Sequence, residues 1–340
     1  MGKDHTMYEI DKRLQALAKT DNPINVSLIG TGQMGTEIVI QVGMMTGMEV
    51  VAAVDLYTSK VVEAYRLAGY TGRVVETNDL AEAEKAVKEG AKVATTDYRV
   101  AVMLSGAHAV IDATGSPQMG AEISLLCFEN HKHIVMMNVE CDITIGPILR
   151  DKAKRSGVIY SIAAGDEPGA IMELYRFAHA LGFKIVAAGK GKNNPLDIYA
   201  TPSDEEWAAK AAARNMSARM LIEFVDGSKT MVEMAAVSNA TGLVPDVRGM
   251  HGPKANIEDL TTVFSLKEQG GILNQEGVVD YGIGNINPGV FVIIQADNEK
   301  LREGMEQRDM GKGPNYLLLR PYHLCSVEVP LTVAQAVIYN

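Results

Sequence analysis

The sequence predicts an α/β fold of the doubly wound kind, a parallel sheet with helices on both faces, followed by a second α+β domain. Three observations carry this expectation. From residue 25 to about 190, short β-branched runs alternate with helical stretches, the pattern of repeated β-α units with right-handed crossovers. Near its start, the run Val26–Ile29 leads into Gly30-Thr31-Gly32-Gln33-Met34-Gly35, and a helical pattern follows at once. A second apolar run, Val50–Val54, ends in the acid Asp55, 20 residues after Gly35.

Strand, Gly-x-Gly-x-x-Gly, helix, strand and terminal acid in this order form the dinucleotide-binding fingerprint of the Rossmann fold. Gly30 permits the tight turn, Gly32 lets backbone approach a pyrophosphate, and Gly35 lets the helix pack close to the sheet. The helix N-terminus at Gln33 and Met34 offers unpaired N–H groups and a positive dipole end to phosphates, with Thr31 in the same turn. Asp55 would accept ribose hydroxyls and repel a 2′-phosphate, which favours NAD over NADP. Ser59, Lys60 and Arg66 lie close enough in sequence to restore phosphate binding.

The 340 residues are enough for two domains, and 47% hydrophobic with 22% charged residues describes an ordinary globular chain. A net charge of −10 argues against nucleic acid or an anionic membrane as main partner. The three cysteines have no framework spacing, and Met1–Asp21 lacks an apolar signal core. A reduced, cytoplasmic setting is therefore expected. The 18 methionines read as adaptable core.

Domain boundaries are expected at 190 and 325: an N-terminal helix plus dinucleotide domain over 1–190, a substrate domain over 191–325, and a C-terminal helix over 326–340. Within the second domain the pattern predicts one long amphipathic helix over Glu205–Phe224, another over Lys229–Ala240, and strands near 277–281, 289–295 and 316–320.

Ligands collect beyond the carboxyl ends of parallel strands, and the chemistry-bearing residues are sought there. In Asp112-Ala113-Thr114-Gly115-Ser116-Pro117, the small residues Ala113, Thr114 and Gly115 can pass beneath a nicotinamide ribose. Asn138-Val139-Glu140-Cys141-Asp142 leaves the next strand with an amide and two carboxylates. Glu140 and Asp142 either share a divalent cation or are charges at a helix N-terminus. Asp166 and Glu167 sit at a further strand end, where Asp166 also suits an N-cap. Lys190-Gly191-Lys192-Asn193-Asn194 reads as a Gly-containing turn. Its lysines and amides either bind a substrate phosphate or carboxylate, with one lysine as proton donor, or form a solvated turn. Glu233, Asn239 and the run Arg248–Pro253 are further pocket candidates.

The combination Gly-Thr-Gly-Gln-Met-Gly, Asn-Val-Glu-Cys-Asp-Ile-Thr-Ile-Gly-Pro, Gly-Asp-Glu-Pro-Gly-Ala, Ala-Ala-Gly-Lys-Gly-Lys-Asn-Asn-Pro-Leu and Arg-Pro-Tyr-His-Leu-Cys resembles one family across essentially the whole chain. It is that of the homoserine-dehydrogenase-like oxidoreductases with a C-terminal SAF domain, and within it the DXR-like (DRL) branch. The resemblance implies a Rossmann domain, a second α+β domain for substrate and oligomerisation, and a SAF domain beyond residue 340. It implies an NAD- or NADP-dependent isomerisation and reduction of 1-deoxy-D-xylulose 5-phosphate to 2-C-methyl-D-erythritol 4-phosphate, assisted by a divalent cation such as Mg²⁺ or Mn²⁺. Homoserine dehydrogenases carry a lysine after the asparagine matching Asn138. Here that residue is Val139, which leaves the proton-transfer or anion-binding role to Lys190 and Lys192. A small-molecule substrate and a homo-oligomer are the expected partners. A simple dehydrogenase of a hydroxy acid or polyol, or a non-catalytic nucleotide-binding regulator, would share the dinucleotide site.

Overall fold

The computed structural model describes residues 9–193, 196–213 and 217–339. They divide into two compact units. One runs to Asp166 and resumes at Leu324, and the other is Glu167–His323.

The first unit begins with helix α1 (Ile10–Lys19) and strand β1 (Ile24–Ile29). There follow α2 (Gln33–Met44), β2 (Met48–Val54), α3 (Thr58–Leu67), β3 (Val74–Glu76), α4 (Leu80–Lys88) and β4 (Lys92–Thr95). The series continues with α5 (Tyr98–Met103), β5 (Ala109–Asp112), α6 (Pro117–Glu129), β6 (His133–Met136), α7 (Val139–Arg155) and β7 (Tyr160–Ile162). All seven strands are parallel, in the order β3-β4-β2-β1-β5-β6-β7. The order reverses between β1 and β5, where a doubly wound sheet leaves its crevice.

Strand side chains alternate between two cores because successive residues face opposite ways. Val26, Leu28 and Ile111 pack with α2 and α3 residues such as Ile38 and Val61. Ile29, Val54 and Val110 pack with Ala83, Val100, Ile123 and Leu149 from α4 to α7. Burying a side chain such as Leu28 completely contributes roughly 1.5–3 kcal/mol.

The second unit holds α8 (Glu167–Ala180), β8 (Lys184–Lys192), α9 (Glu205–Ala213), α10 (Ala218–Val225), α11 (Ser228–Thr241) and β9 (Val244–Pro245). It closes with α12 (Leu260–Val263), β10 (Val278–Ile283), β11 (Val290–Gln295), α13 (Glu299–Glu306) and β12 (Asn315–Arg320). Its mixed sheet has the order β12-β11-β8-β10-β9, with β10 parallel and β11 antiparallel to the central β8. Ala188, Tyr281 and Val292 pack with Ile171 of α8 and Val237 of α11. Val186, Phe291 and Ile293 face Leu260, Phe264 and Leu273.

Several expectations are corrected. The boundary lies at Asp166/Glu167 rather than at 190, because β8 is the central strand of the second sheet and α8 covers that sheet. The stretch Glu205–Phe224 is not one helix: Ser217 accepts the Met220 N–H at 3.1 Å and starts α10 afresh. The C-terminal helix α14 (Val329–Tyr339) does not stand apart. Val329 and Val333 enter the core of the first unit, and Thr332 Oγ1 accepts the Ala164 N–H at 2.7 Å. Among the described residues no helix is long and apolar enough to cross a membrane.

At the amino-terminal edge of the first sheet, half-buried His133 closes a gap between strands by accepting the Ile159 N–H on Nδ1 at 3.0 Å. Only the neutral ring has that acceptor. Burial, and next the nearby His108 ring, lowers the His133 pKa from its usual value. The unfolded chain therefore binds the proton more readily, and stability falls as pH drops through and below the ordinary histidine range near 6.5. Thermal melts of the wild type should lose midpoint between pH ~7.5 and ~5.5, and His133→Gln should flatten that slope.

Candidate functional site

The fingerprint turn follows directly from the close approach of its backbone. A Cβ on Gly35 would overlap the Gly30 carbonyl oxygen, so α2 can leave the turn only with glycine there. Gly30 has φ +97°, and its Cβ would meet the Ala113 carbonyl at 2.7 Å. At Gly32 a Cβ would meet nothing within 4 Å. Gly32 is the N-cap of α2 and carries no side chain to cap it, so the first-turn N–H groups of Gln33, Met34 and Gly35 have no acceptor inside the helix. Gly32 and Gln33 are exposed, Met34 is half-buried and Thr31 is buried. An open cradle of this kind fits a pyrophosphate.

Asp55 follows the last residue of β2, and its carboxylate is already engaged. Oδ2 accepts the Thr31 N–H at 3.1 Å and the Thr31 hydroxyl at 3.0 Å. Oδ1 accepts the Tyr57 N–H at 3.3 Å, and the Lys60 ammonium stands 3.7 Å away. The acid ties the fingerprint turn to the end of β2, and Lys60 offsets its charge.

On the other side of β1, the turn after β5 carries Ala113 and Thr114, both half-buried, and exposed Gly115 with φ +65°. Asn138, buried, is the N-cap of α7: its Oδ1 accepts the Cys141 N–H at 3.2 Å and its Nδ2 donates to the Ser116 carbonyl at 2.7 Å. Glu140 and Asp142 lie in the first turn of α7. That placement is the helix-terminus alternative, and they do not gather with a third metal-ligating side chain among the described residues.

The second cluster lies within the second unit. Lys190, Gly191 and Lys192 are not a turn but the end of β8, where Gly191 pairs with Gly282 of β10. Lys190 and Lys192, two apart, share one face of the strand, and both are 4% exposed. The Lys190 ammonium donates to Glu167 Oε1 at 2.5 Å and to Glu233 Oε2 of α11. Glu233 is completely buried, Lys229 Nζ lies 3.8 Å from its Oε1, and His323 Nε2 lies 3.6 Å from Glu167 Oε1. Burial pulls the Lys190 pKa down, but Glu233 and Glu167 prevail and raise it. Lys192 differs. Its ammonium donates to the Phe224 carbonyl at 2.6 Å. Burial first, and the Lys190 charge second, lower its pKa to about 8 against a weaker opposing pull from Asp226.

The structure thus brings together Glu167, Lys190 and Glu233, and sets Lys192 beside them. Asp166 is buried and immediately precedes α8. Asn193 is exposed just past β8, and Asn194 lies outside the described residues. Asn239 is exposed on α11, six residues beyond Glu233 and so about 240° around the helix from it. Sequence reasoning assigned no role to Asp112, Lys229 or His323, whose partners here are Asn138, Glu233 and Glu167 respectively. Asp112 and His323 lay in noted motifs, Asp112-Ala113-Thr114-Gly115-Ser116-Pro117 and Arg-Pro-Tyr-His-Leu-Cys, and Lys229 at the start of a predicted helix.

Residues 165–329 match the family described as the catalytic domain of oxidoreductase DRL. No curated protein matches the chain. Among solved structures, a hyperthermophilic archaeal homoserine dehydrogenase in complex with NADPH is 12% identical, with 94% of this chain and 98% of that chain covered and a TM-score of 0.52. A scyllo-inositol dehydrogenase from Lactobacillus casei with NAD(H) and scyllo-inositol is 12% identical, covering 88% and 76% at a TM-score of 0.46. The 1-deoxy-D-xylulose 5-phosphate reductoisomerase from Zymomonas mobilis in complex with NADPH is 14% identical, covering 64% and 58% at 0.44. At such identities the likeness to the homoserine dehydrogenase is one of fold. The chain is an oxidoreductase whose catalytic-domain match stands beside a dinucleotide-binding Rossmann fold.

Two outcomes follow for the dinucleotide site. Gly32→Val should abolish NAD(P) binding in a calorimetric titration while the melting midpoint stays near wild type, because the added side chain points into open space. Lys60→Ala should raise the KM for NADPH relative to that for NADH by about fivefold, the low end of a charge coupling. Removing the cation leaves Asp55 to repel a 2′-phosphate unopposed.

Proposed function

We propose that the chain is an NAD(P)-dependent reductoisomerase of the DXR-like kind, converting 1-deoxy-D-xylulose 5-phosphate to 2-C-methyl-D-erythritol 4-phosphate. The observation that carries this reading is the Lys190–Lys192 pair, lying inside the stretch that matches the DRL catalytic domain. Bound dinucleotide would supply hydride to a carbonyl carbon, and the carbonyl oxygen then needs a proton. Lys192 is suited to hold and release it, because a pKa of about 8 keeps the proton available near neutrality. Lys190 is held charged by two carboxylates and fixes Glu167 and Glu233 in place. Asn193 follows Lys192 directly and supplies an amide for substrate hydroxyl or phosphate oxygens.

Isomerisation of a hydroxyketone is helped by a divalent cation that polarises its oxygens. A cation held by Glu167 and Glu233 would have to displace the Lys190 ammonium, so metal dependence enters the test directly. Nicotinamide absorbance is followed with 1-deoxy-D-xylulose 5-phosphate, with NADH and NADPH in turn, with and without Mg²⁺ or Mn²⁺. Substrate-dependent cofactor oxidation with formation of the methylerythritol phosphate supports the reading. Turnover only on a simple hydroxy acid or polyol replaces it with a plain dehydrogenase.

Lys192→Arg keeps the positive charge but cannot release a proton at these pH values. It should lower kcat by about a hundredfold or more, with KM little changed. If Lys192 gives up its proton in the rate-limiting step, wild-type reduction should slow as pH rises through about 8. The same profile in Lys192→Ala should lack that inflection.

A further inference from the structure

Asp112 ends β5 and has no exposed surface. Its Oδ1 accepts the Thr114 N–H at 2.9 Å and the Thr114 hydroxyl at 2.7 Å. Its Oδ2 accepts the Asn138 side-chain amide at 3.0 Å. One carboxylate therefore fixes both the turn after β5 and the residue that opens α7 after β6.

These hydrogen bonds supply no counter-charge. Every donor is neutral, and among the described residues no cationic side chain pairs with Asp112. Glu140, the charged group that acts on it, is itself negative. Burial raises the Asp112 pKa, while the bonds from Thr114 and Asn138 work the other way and favour the charged form. A buried anion without a counter-charge is expensive, which directs attention to a cation supplied from outside the chain.

On a doubly wound sheet a dinucleotide lies across the carboxyl edge where the strand order reverses, here between β1 and β5. With its adenosine half on the Asp55 side, its nicotinamide half falls on the side where β5 and β6 end. The oxidised nicotinamide ring carries a positive charge and the reduced ring carries none. We infer that Asp112 is a positioning residue that selects the oxidation state of the bound dinucleotide, supplying the fixed anion that favours the oxidised form over the reduced one. This rests on the dinucleotide reading of the first unit and is independent of the substrate.

Calorimetric titration of wild type and Asp112→Asn with NAD(P)⁺, NAD(P)H and ADP tests it. The asparagine keeps the shape and removes the charge. The ratio of the dissociation constant of the reduced form to that of the oxidised form should fall about fivefold to tenfold in the variant. Affinity for ADP, which lacks the nicotinamide half, should stay the same. An unchanged ratio in a folded variant overturns the inference, whatever happens to the individual affinities. Should the variant not fold, the wild type decides: oxidised form bound more tightly supports the inference, and reduced form bound as tightly or more tightly overturns it. Failure of the wild type to bind either form overturns the dinucleotide reading itself, a result distinct from an unchanged ratio.

Discussion

The burial of the Lys190 ammonium governs the chemistry of the second unit. Each buried ion loses several kcal/mol of hydration, and here the loss is offset by two carboxylates from elements far apart in sequence. Glu167 opens α8, Lys190 lies near the end of β8 and Glu233 sits in the middle of α11. Together they pin two helices to one strand. Removing one partner of such a cluster costs about 3–5 kcal/mol, because an uncompensated charge is left behind. The cluster also narrows what Lys190 can do. An ammonium already shared between two carboxylates is poorly placed to capture a substrate anion. Its positive charge acts next on Lys192, which shares its face of the strand.

In the first unit the corresponding constraint is backbone proximity. The carbonyls of Gly30 and Ala113 occupy the space that side chains at Gly35 and Gly30 would need, whereas Gly32 faces open space. Two of the three glycines serve the packing of the turn, and the third leaves the space before the helix N-terminus open. Two acids flank β1 at this edge and differ in their surroundings. Asp55 has Lys60 beside it, while Asp112 is surrounded by neutral donors. Equal in formal charge, they contribute unequally to the field at the two ends of the edge.

The parallel sheet was legible because a strand buried on both faces reads as an apolar run. Strands β1, β2, β5 and β6 largely follow that rule, whereas the three-residue edge strands β3 and β7 do not. The fingerprint was legible because its parts adjoin one another in sequence. The Lys190–Lys192 stretch was not. Glycine between lysines has the local signature of a turn, yet Gly191 is a strand residue whose Cβ would collide with the Asn287 backbone. Lys190 is buried because acids 23 and 43 residues away accept its hydrogen bonds, and Lys192 donates to a carbonyl 32 residues away. No window of the sequence contains both partners. The boundary near 190 was misplaced for the same reason: an apolar run such as Ile185–Ala188 does not state which sheet it joins.

Lys190 and Lys192 lie two residues apart, yet their partners separate them chemically. If Lys190 lost its proton, Glu167 and Glu233 would face each other without the intervening positive charge, so the cluster resists that change. Lys192 donates to a neutral carbonyl, that of Phe224 in the last turn of α10. The negative end of the helix dipole favours the ammonium there, while burial and Lys190 oppose it. An ammonium has three donors, and the amine left after one proton departs keeps two. The bond to Phe224 can therefore persist in both protonation states. A neutral Lys190 would likewise keep two donors for its two carboxylates, so charge is what separates the pair. Glu167 and Glu233 oppose loss of the Lys190 proton, whereas burial and the Lys190 charge favour loss of the Lys192 proton.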